Sequence, residues 1–319
     1  VRTTKSGSVA RLAAAAAALT AIAGIMTSTA GHAAGATRHY PVPYTFAANV
    51  LGAAHPYSDP PGSNDWSCRP GSVHPRPVVL VHGFASVMND TWQTYSPLLA
   101  NEGYCVFALN YGVPDGTSFP LDQVGGRTPL EDSAQELAAF VDRVRTATGV
   151  SQVDIVGHSE GTQMPNYYLK RLGGSAHVHT FVALAPFWRG TNAAGLATAT
   201  LLAGRFGYAP VVNGVLDPLC AACRQLLAGS DYYAAFGDPV VPGVNYTSIV
   251  TRYDELAVPY TSGIASGMHN ITLQDQCLLD HSEHFAILSD PVAGADILNA
   301  LDPAHPRPVP CVYVPPFLG

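Results

Sequence analysis

The sequence predicts an α/β protein with a mostly parallel central sheet flanked by helices. Three observations carry that reading. Short continuous apolar runs, such as Val78 to Val81 and Phe181 to Leu184, lack the alternation of a half-exposed sheet and suit strands covered on both faces. Helical stretches lie between these runs, and a strand–helix–strand order makes the strands parallel. The run Val153 to Val156 closes on Gly157-His158-Ser159-Glu160-Gly161, a Gly-x-Ser-x-Gly pattern. That pattern is expected where a buried strand turns sharply into a helix and leaves one serine exposed at the bend.

The first 36 residues read as a secretory signal peptide. Arg2, Lys5 and Arg11 precede or open an apolar run from Leu12 to Met26, and small residues follow to Ala36. Cleavage fits after Ala30, Ala33 or Ala36. Residues 37–319 then form one catalytic domain, without internal repeats and with an insertion at about 187–245. No later stretch is long and apolar enough for a stable membrane span. Charged residues are 12% of the chain and the net charge is −7, which argues against nucleic acid as a partner. Six cysteines in an exported, extracellular protein suggest three disulfides. Of the 15 or so possible pairings, Cys68–Cys105, Cys220–Cys223 and Cys277–Cys311 are favoured. The first pair flanks two core strands, the second closes a small loop, and the third ties down the C-terminal tail. A redox or metal role for Cys220 and Cys223 lacks a thioredoxin-like unit or a second ligand pair.

In order, residues 37–76 read as an irregular wrap pinned by Cys68. The strand Val78 to Val81 ends in His82-Gly83-Phe84. Thr91 to Ala100 suggests a helix, and Tyr104 to Leu109 a second strand. Thr128 is expected to cap the next helix, with Pro129 at its first position and Glu131 completing a capping box. Leu130, Leu137, Phe140, Val141 and Val144 fall on one helical face, and Gly149 ends the helix. After the serine, Met164 to Leu172 is helical, with Pro165 as a mild kink and Gly173-Gly174 as the stop. Phe181 to Leu184 is a strand. The insertion lies on the active side of the sheet and reads equally as a lid or as static helical packing. Tyr246 to Tyr253 is a strand running into Asp254-Glu255, and Asn270 to Gln276 is another. Asp280 to His284 leads into an apolar helix, and Pro291 to Leu301 is the last helix.

A serine hydroxyl needs a base within hydrogen-bond reach, and the base needs a carboxylate behind it. In this topology the order is serine, acid, histidine. Ser159 is the expected nucleophile. Asp254, at a strand end, is the expected acid, with Glu255 as its rival; Asp217, Asp231 and Asp238 lie in the insertion, where no strand positions them. His284 is preferred over His281 as base. The pair also has H-x-x-H metal spacing, but no further ligands complete a zinc site. His158 reads as structural. Oxyanion donors are expected from the backbone N–H groups of Phe84 and Glu160. This chemistry requires no metal and no cofactor.

These residues resemble those of secreted bacterial triacylglycerol lipases of the class 2 type, an α/β-hydrolase family. The resemblance rests on His82-Gly83-Phe84, on Gly103 to Phe107, on Val153 to Ser159 and on Met164 to Lys170. It continues through Pro242-Gly243-Val244, Tyr253-Asp254-Glu255, Leu273-Gln274-Asp275 with Cys277, Ser282-Glu283-His284 and Leu301 to His305. It implies an α/β-hydrolase fold, Ser159, Asp254 and His284 as the triad, and Pro165 as a shared feature. The implied function is hydrolysis of triacylglycerols or other lipid esters, with a lipid–water interface as the meeting place. Alternatives on the same residues are an esterase or polyester hydrolase, an acyltransferase, or a non-catalytic binding protein of this fold. One departure stands beside the nucleophile: such lipases usually carry Gln-Gly-Gly, and this chain has Glu160-Gly161-Thr162. A carboxylate there is expected to disfavour anionic substrates or to speed release of fatty acid.

Overall fold

The computed structural model describes residues 39–217 and 220–319. The expected signal peptide lies outside the described residues. Six parallel strands form one sheet in the order β2-β1-β3-β4-β5-β6. They are β1 (Val78–Val81), β2 (Val106–Leu109), β3 (Val153–His158), β4 (Val178–Leu184), β5 (Asn245–Val250) and β6 (His269–Thr272). The chain steps outward from β1 to β2, crosses back to β3, and then proceeds to the other edge. That reversal opens a crevice at the carboxyl ends of the central strands, where ligands bind in open α/β sheets.

The unbroken apolar character of β1 follows from helices on both faces. Val79 and Val81 pack with Phe107, Ile155 and Phe181 against Leu137, Val141 and Met164. Val78 and Leu80 point the other way, into a core with Val156, Ile249, Trp92, Tyr95 and Ile297. Alternate residues of one strand thus enter opposite cores, as the two-residue period requires. The helices are α1 (Phe46–Gly52), α2 (Met88–Thr91), α3 (Tyr95–Asn101), α4 (Leu130–Thr148) and α5 (Glu160–Arg171). The insertion carries α6 (Leu196–Arg205), α7 (Ala209–Leu216), α8 (Ala221–Gln225) and α9 (Asp231–Phe236). Then come α10 (Leu273–Gln276) and α11 (Pro291–Leu301).

Several expectations shift. The region 37–76 is not wholly irregular, because Thr45 caps the short α1. The helix expected at Thr91 to Ala100 is two pieces, α2 and α3, broken between Thr91 and Tyr95. Pro97 explains the break: it lacks an N–H and is tolerated only in a first turn, so α3 must begin just before it. The capping box at Thr128 does not form. Thr128 Oγ1 bonds Ser133 Oγ, α4 begins at Leu130, and the Leu130 N–H is met by Gln225 Oε1 from the insertion. Gln225 Nε2 also takes Glu131, so a tertiary partner replaces the local cap. The last strand is shorter than the seven residues expected: it covers four, and after Thr272 the chain turns into α10. Gly149, at φ +77°, does end α4.

All six cysteines are paired, as Cys68–Cys105, Cys220–Cys223 and Cys277–Cys311. Among the described residues, no helix is long and apolar enough to cross a membrane.

Candidate active site

Ser159 stands at the end of β3 with φ +56°, in the left-handed region that side chains avoid. Two absences of a side chain permit this bend. A Cβ on Gly157 would lie 1.9 Å from the Gly161 carbonyl, and one on Gly161 would lie 2.2 Å from the His82 carbonyl. The bend is held by the Ser159 N–H donating to Leu184 O, and by Thr162 donating to Ser159 O through both N–H and Oγ1. Helix α5 starts at once at Glu160, four residues earlier than the sequence suggests, and runs through Pro165.

Asp254 lies in the turn after β5, and His284 in the loop after α10. His284 Nε2 is 2.9 Å from Ser159 Oγ, and His284 Nδ1 is 2.9 and 3.0 Å from the two Asp254 oxygens. Both side chains are 2% exposed. Asp254 also accepts the N–H groups of Leu256 and Ala257. Burial alone would push the Asp254 carboxyl up, but His284 and those N–H groups hold it below the usual range. Burial likewise pushes the His284 imidazole down, but Asp254, Glu255 and Glu283 together hold it above the ordinary histidine value. Such a line can move a proton from Oγ to Nε2 while the carboxylate balances the imidazolium.

The rivals take other places. Glu255 Oε2 accepts the His284 N–H at 3.3 Å. His281 donates its N–H to Val314 O and packs its ring beside Tyr253 and Tyr313. Asp217 pairs with Arg224, Asp231 opens α9, and Asp238 accepts the Val240 N–H. His158 is buried and pushed down to about 3 by burial and the neighbouring His284. Its neutral ring bonds the His284 carbonyl through Nε2 at 2.8 Å, which holds the base's backbone.

The turn His82-Gly83-Phe84 lies against the nucleophile, since a Cβ on Gly83 would come 3.1 Å from Ser159 Cβ. Glu160 is fully buried and bonded at Oε1 to the Tyr111 hydroxyl. Burial pushes its carboxyl well above the usual range, only partly offset by Tyr111. Burial therefore disfavours the charged form that an exposed glutamate adopts. Burial thus weighs against the charge effect expected from Glu160 on anionic substrates.

Sequence reasoning missed a buried clamp behind Asp254 and His284. Thr251 Oγ1 donates to Ser282 O, and Gln274 Nε2 reaches both Thr251 Oγ1 and Asp280 O. Gln274 Oε1 accepts the Arg252 N–H. One amide thus ties the acid loop to the base loop. The only signal was a polar residue directly after an apolar strand end, which is common at surfaces too.

The family model described as lipase (class 2) matches residues 75–294. Among solved structures, Aspergillus fumigatus lipase B aligns with a TM-score of 0.56 at 19% identity, covering 79% of this chain and 57% of its own. Mature Bacillus licheniformis lipase BlEst2 aligns at 0.52 and 15% identity, covering 73% and 94%. The chain thus spans little more than half the length of the first and nearly all of the second. At these identities the likeness shows the shared α/β-hydrolase fold.

Proposed function

The chain belongs to the class 2 lipase family of carboxylic ester hydrolases, and on that premise we propose that it cleaves lipid esters, triacylglycerols first, through an acyl-Ser159 intermediate. His284 Nε2 takes the Ser159 proton as Oγ attacks the ester carbonyl. Asp254 balances the imidazolium. The N–H groups of Phe84 and Glu160 donate to the oxyanion, a contribution of about 3 kcal/mol each. The intermediate collapses and the alcohol leaves with the proton held by His284. Water then gives that proton's replacement to His284 and attacks the acyl group, releasing the acid and restoring Ser159.

The observation that carries this reading is the unbroken line Ser159–His284–Asp254, with 2.9 Å at each junction. An apolar substrate is supported by the exposed side chains at the functional positions themselves. Phe84 is one; Leu256 lies two residues after Asp254, and Phe285 directly follows His284. Helices α6 and α7 add exposed Leu201, Leu202 and Val211, with Phe206 and Tyr208 between them, which suits contact with a lipid–water interface. Three disulfides and the absence of a free cysteine support secretion into an oxidising compartment.

The test uses purified wild type and Ser159→Ala on a graded series of p-nitrophenyl esters and on emulsified triacylglycerol. Wild type is expected to hydrolyse the emulsion and the longer acyl chains, and Ser159→Ala to lose about 10⁴-fold or more in kcat. Residual wild-type rates in Ser159→Ala would remove the nucleophile assignment. Activity confined to short soluble esters would move the protein to the esterases.

A further inference from the structure

Tyr111 has one hydroxyl proton and two oxygen neighbours. Its oxygen is 2.8 Å from the His82 carbonyl and 3.4 Å from Glu160 Oε1. A carbonyl can only accept, so the phenolic proton goes to His82. The contact with Glu160 then needs its proton from the carboxyl, and Glu160 is the donor. The other end of this chain reaches the oxyanion turn. The His82 ring stacks on Tyr111, with centroids 4.3 Å apart. Burial pushes His82 down to about 4, so its ring is neutral. Nε2 accepts the Tyr111 N–H at 3.4 Å, and Nδ1 donates to the Gly83 carbonyl at 2.8 Å. A peptide unit is planar with C=O and N–H opposed. Holding the Gly83 carbonyl therefore fixes where the Phe84 N–H points. Gly126 closes the space: a Cβ there would lie 2.9 Å from Phe84 Cα and 3.1 Å from Glu160 Oε2.

We propose that Glu160 is a positioning residue for the oxyanion site, whose acid group donates to Tyr111 and so anchors the His82-to-Phe84 turn against the first residue of α5. This rests on the ester-hydrolase reading and on Phe84 and Glu160 as the two backbone donors. Loss of the carboxyl proton leaves Glu160 Oε1 and the His82 carbonyl competing for the single Tyr111 proton, and puts a charge in a buried space. The turn then shifts, and the Phe84 N–H loses its aim at the oxyanion. Transition-state stabilisation falls while ground-state binding does not.

The groups facing Glu160 are Tyr111 from the turn side, and Tyr232 and Tyr233 from α9. Arg127, beside Gly126, directs its guanidinium to the carbonyls of Leu121 and Val124, and Glu136 accepts the Gly112 N–H. Burial pushes all three phenols up, and His82 is already neutral. None of the facing phenols or His82 changes charge between about pH 7 and about pH 9.

The experiment measures kcat and KM on a soluble short-chain p-nitrophenyl ester from about pH 6 to about pH 10, with thermal unfolding of each protein. Tyr111→Phe and Glu160→Leu are expected to lower kcat about 10-fold with KM within about twofold, less than outright loss of an oxyanion donor. Glu160→Gln has an amide N–H for the same bond and no proton to lose. It is expected to retain more kcat than either, and to lack the alkaline fall shown by wild type. Should Glu160→Leu fail to fold, Tyr111→Phe removes a single oxygen and carries the test. Wild-type kcat in Tyr111→Phe, or an alkaline limb in Glu160→Gln identical to that of wild type, overturns the proposal. Equal rates in wild type and Ser159→Ala would overturn the hydrolase reading instead.

Discussion

His284 lies between opposing influences: burial disfavours its charge, while Asp254, Glu255 and Glu283 favour it and prevail. The proposed reaction needs the neutral ring, so kcat/KM is expected to rise with pH through a limb above the ordinary histidine value of about 6.5. Glu255→Gln removes one favouring charge and is expected to move that limb to lower pH, read from the pH–rate profile. Asp254→Asn is expected to lower kcat about 10³- to 10⁴-fold while leaving KM largely unchanged. The meeting of Ser159, Asp254 and His284 was legible because the fold sets their order and the strand ends set their places. Glu255 was legible only as a rival to Asp254. Its bond to the base's N–H depends on how two loops meet, which no local pattern encodes.

At the scale of elements, the bend from β3 to α5 depends on missing side chains. Gly157→Ala would set a methyl 1.9 Å from the Gly161 carbonyl. It is expected to cost about 3 kcal/mol or more in urea unfolding, since the backbone on both sides must move. The loop carrying His284 depends on a second local cluster. Ser282 Oγ lies 2.6 Å from Asp280 Oδ1 and 3.1 Å from Asp290 Oδ2, both carboxyls buried, and Asp290 Oδ1 caps α11 by accepting the Val292 N–H. Burial, then the neighbouring Asp280 charge, push Asp290 well above the aspartate range. A folded value raised above the unfolded one means that this stabilisation is intact below the unfolded value of about 3.9 and is lost as pH rises towards the folded value. Asp290→Asn is expected to flatten the fall of Tm with rising pH, measured by scanning calorimetry. The α11 N-terminus and the Gly149 stop were readable from residue type. The α4 cap was not, because Gln225, 95 positions from Leu130, takes the role that Thr128 and Glu131 were expected to fill.

For the whole molecule, two cores clasp one sheet, and two long-range disulfides hold the segments that flank it. Cys68–Cys105 and Cys277–Cys311 span 37 and 34 residues, whereas Cys220–Cys223 spans 3. Loop-closure entropy assigns about 4 kcal/mol to each long bridge and about 2 to the short one. Replacing Cys277 and Cys311 by alanine is expected to lower Tm clearly more than replacing Cys220 and Cys223, as thermal unfolding would record. The three pairings followed from where the cysteines fall along the chain relative to the strands. The arrangement of α6 to α9 did not, since an Ala- and Leu-rich stretch fits many helical packings equally well.

The sequence by itself determined the parallel sheet, the strand-to-helix bend at Ser159 and the chain order of Ser159, Asp254 and His284. These follow from apolar runs, glycines and chain order, all of which act over a few residues. Only the tertiary structure decided that Glu160 is a buried acid whose charged form is disfavoured, that Gln274 joins the loops carrying Asp254 and His284, and that Gln225 caps a distant helix. Whether a carboxyl keeps its proton, or an amide finds its partner, depends on the dielectric and the donors around it. Those surroundings are assembled from segments remote in the chain, and they exist only once the sheet has brought the segments together.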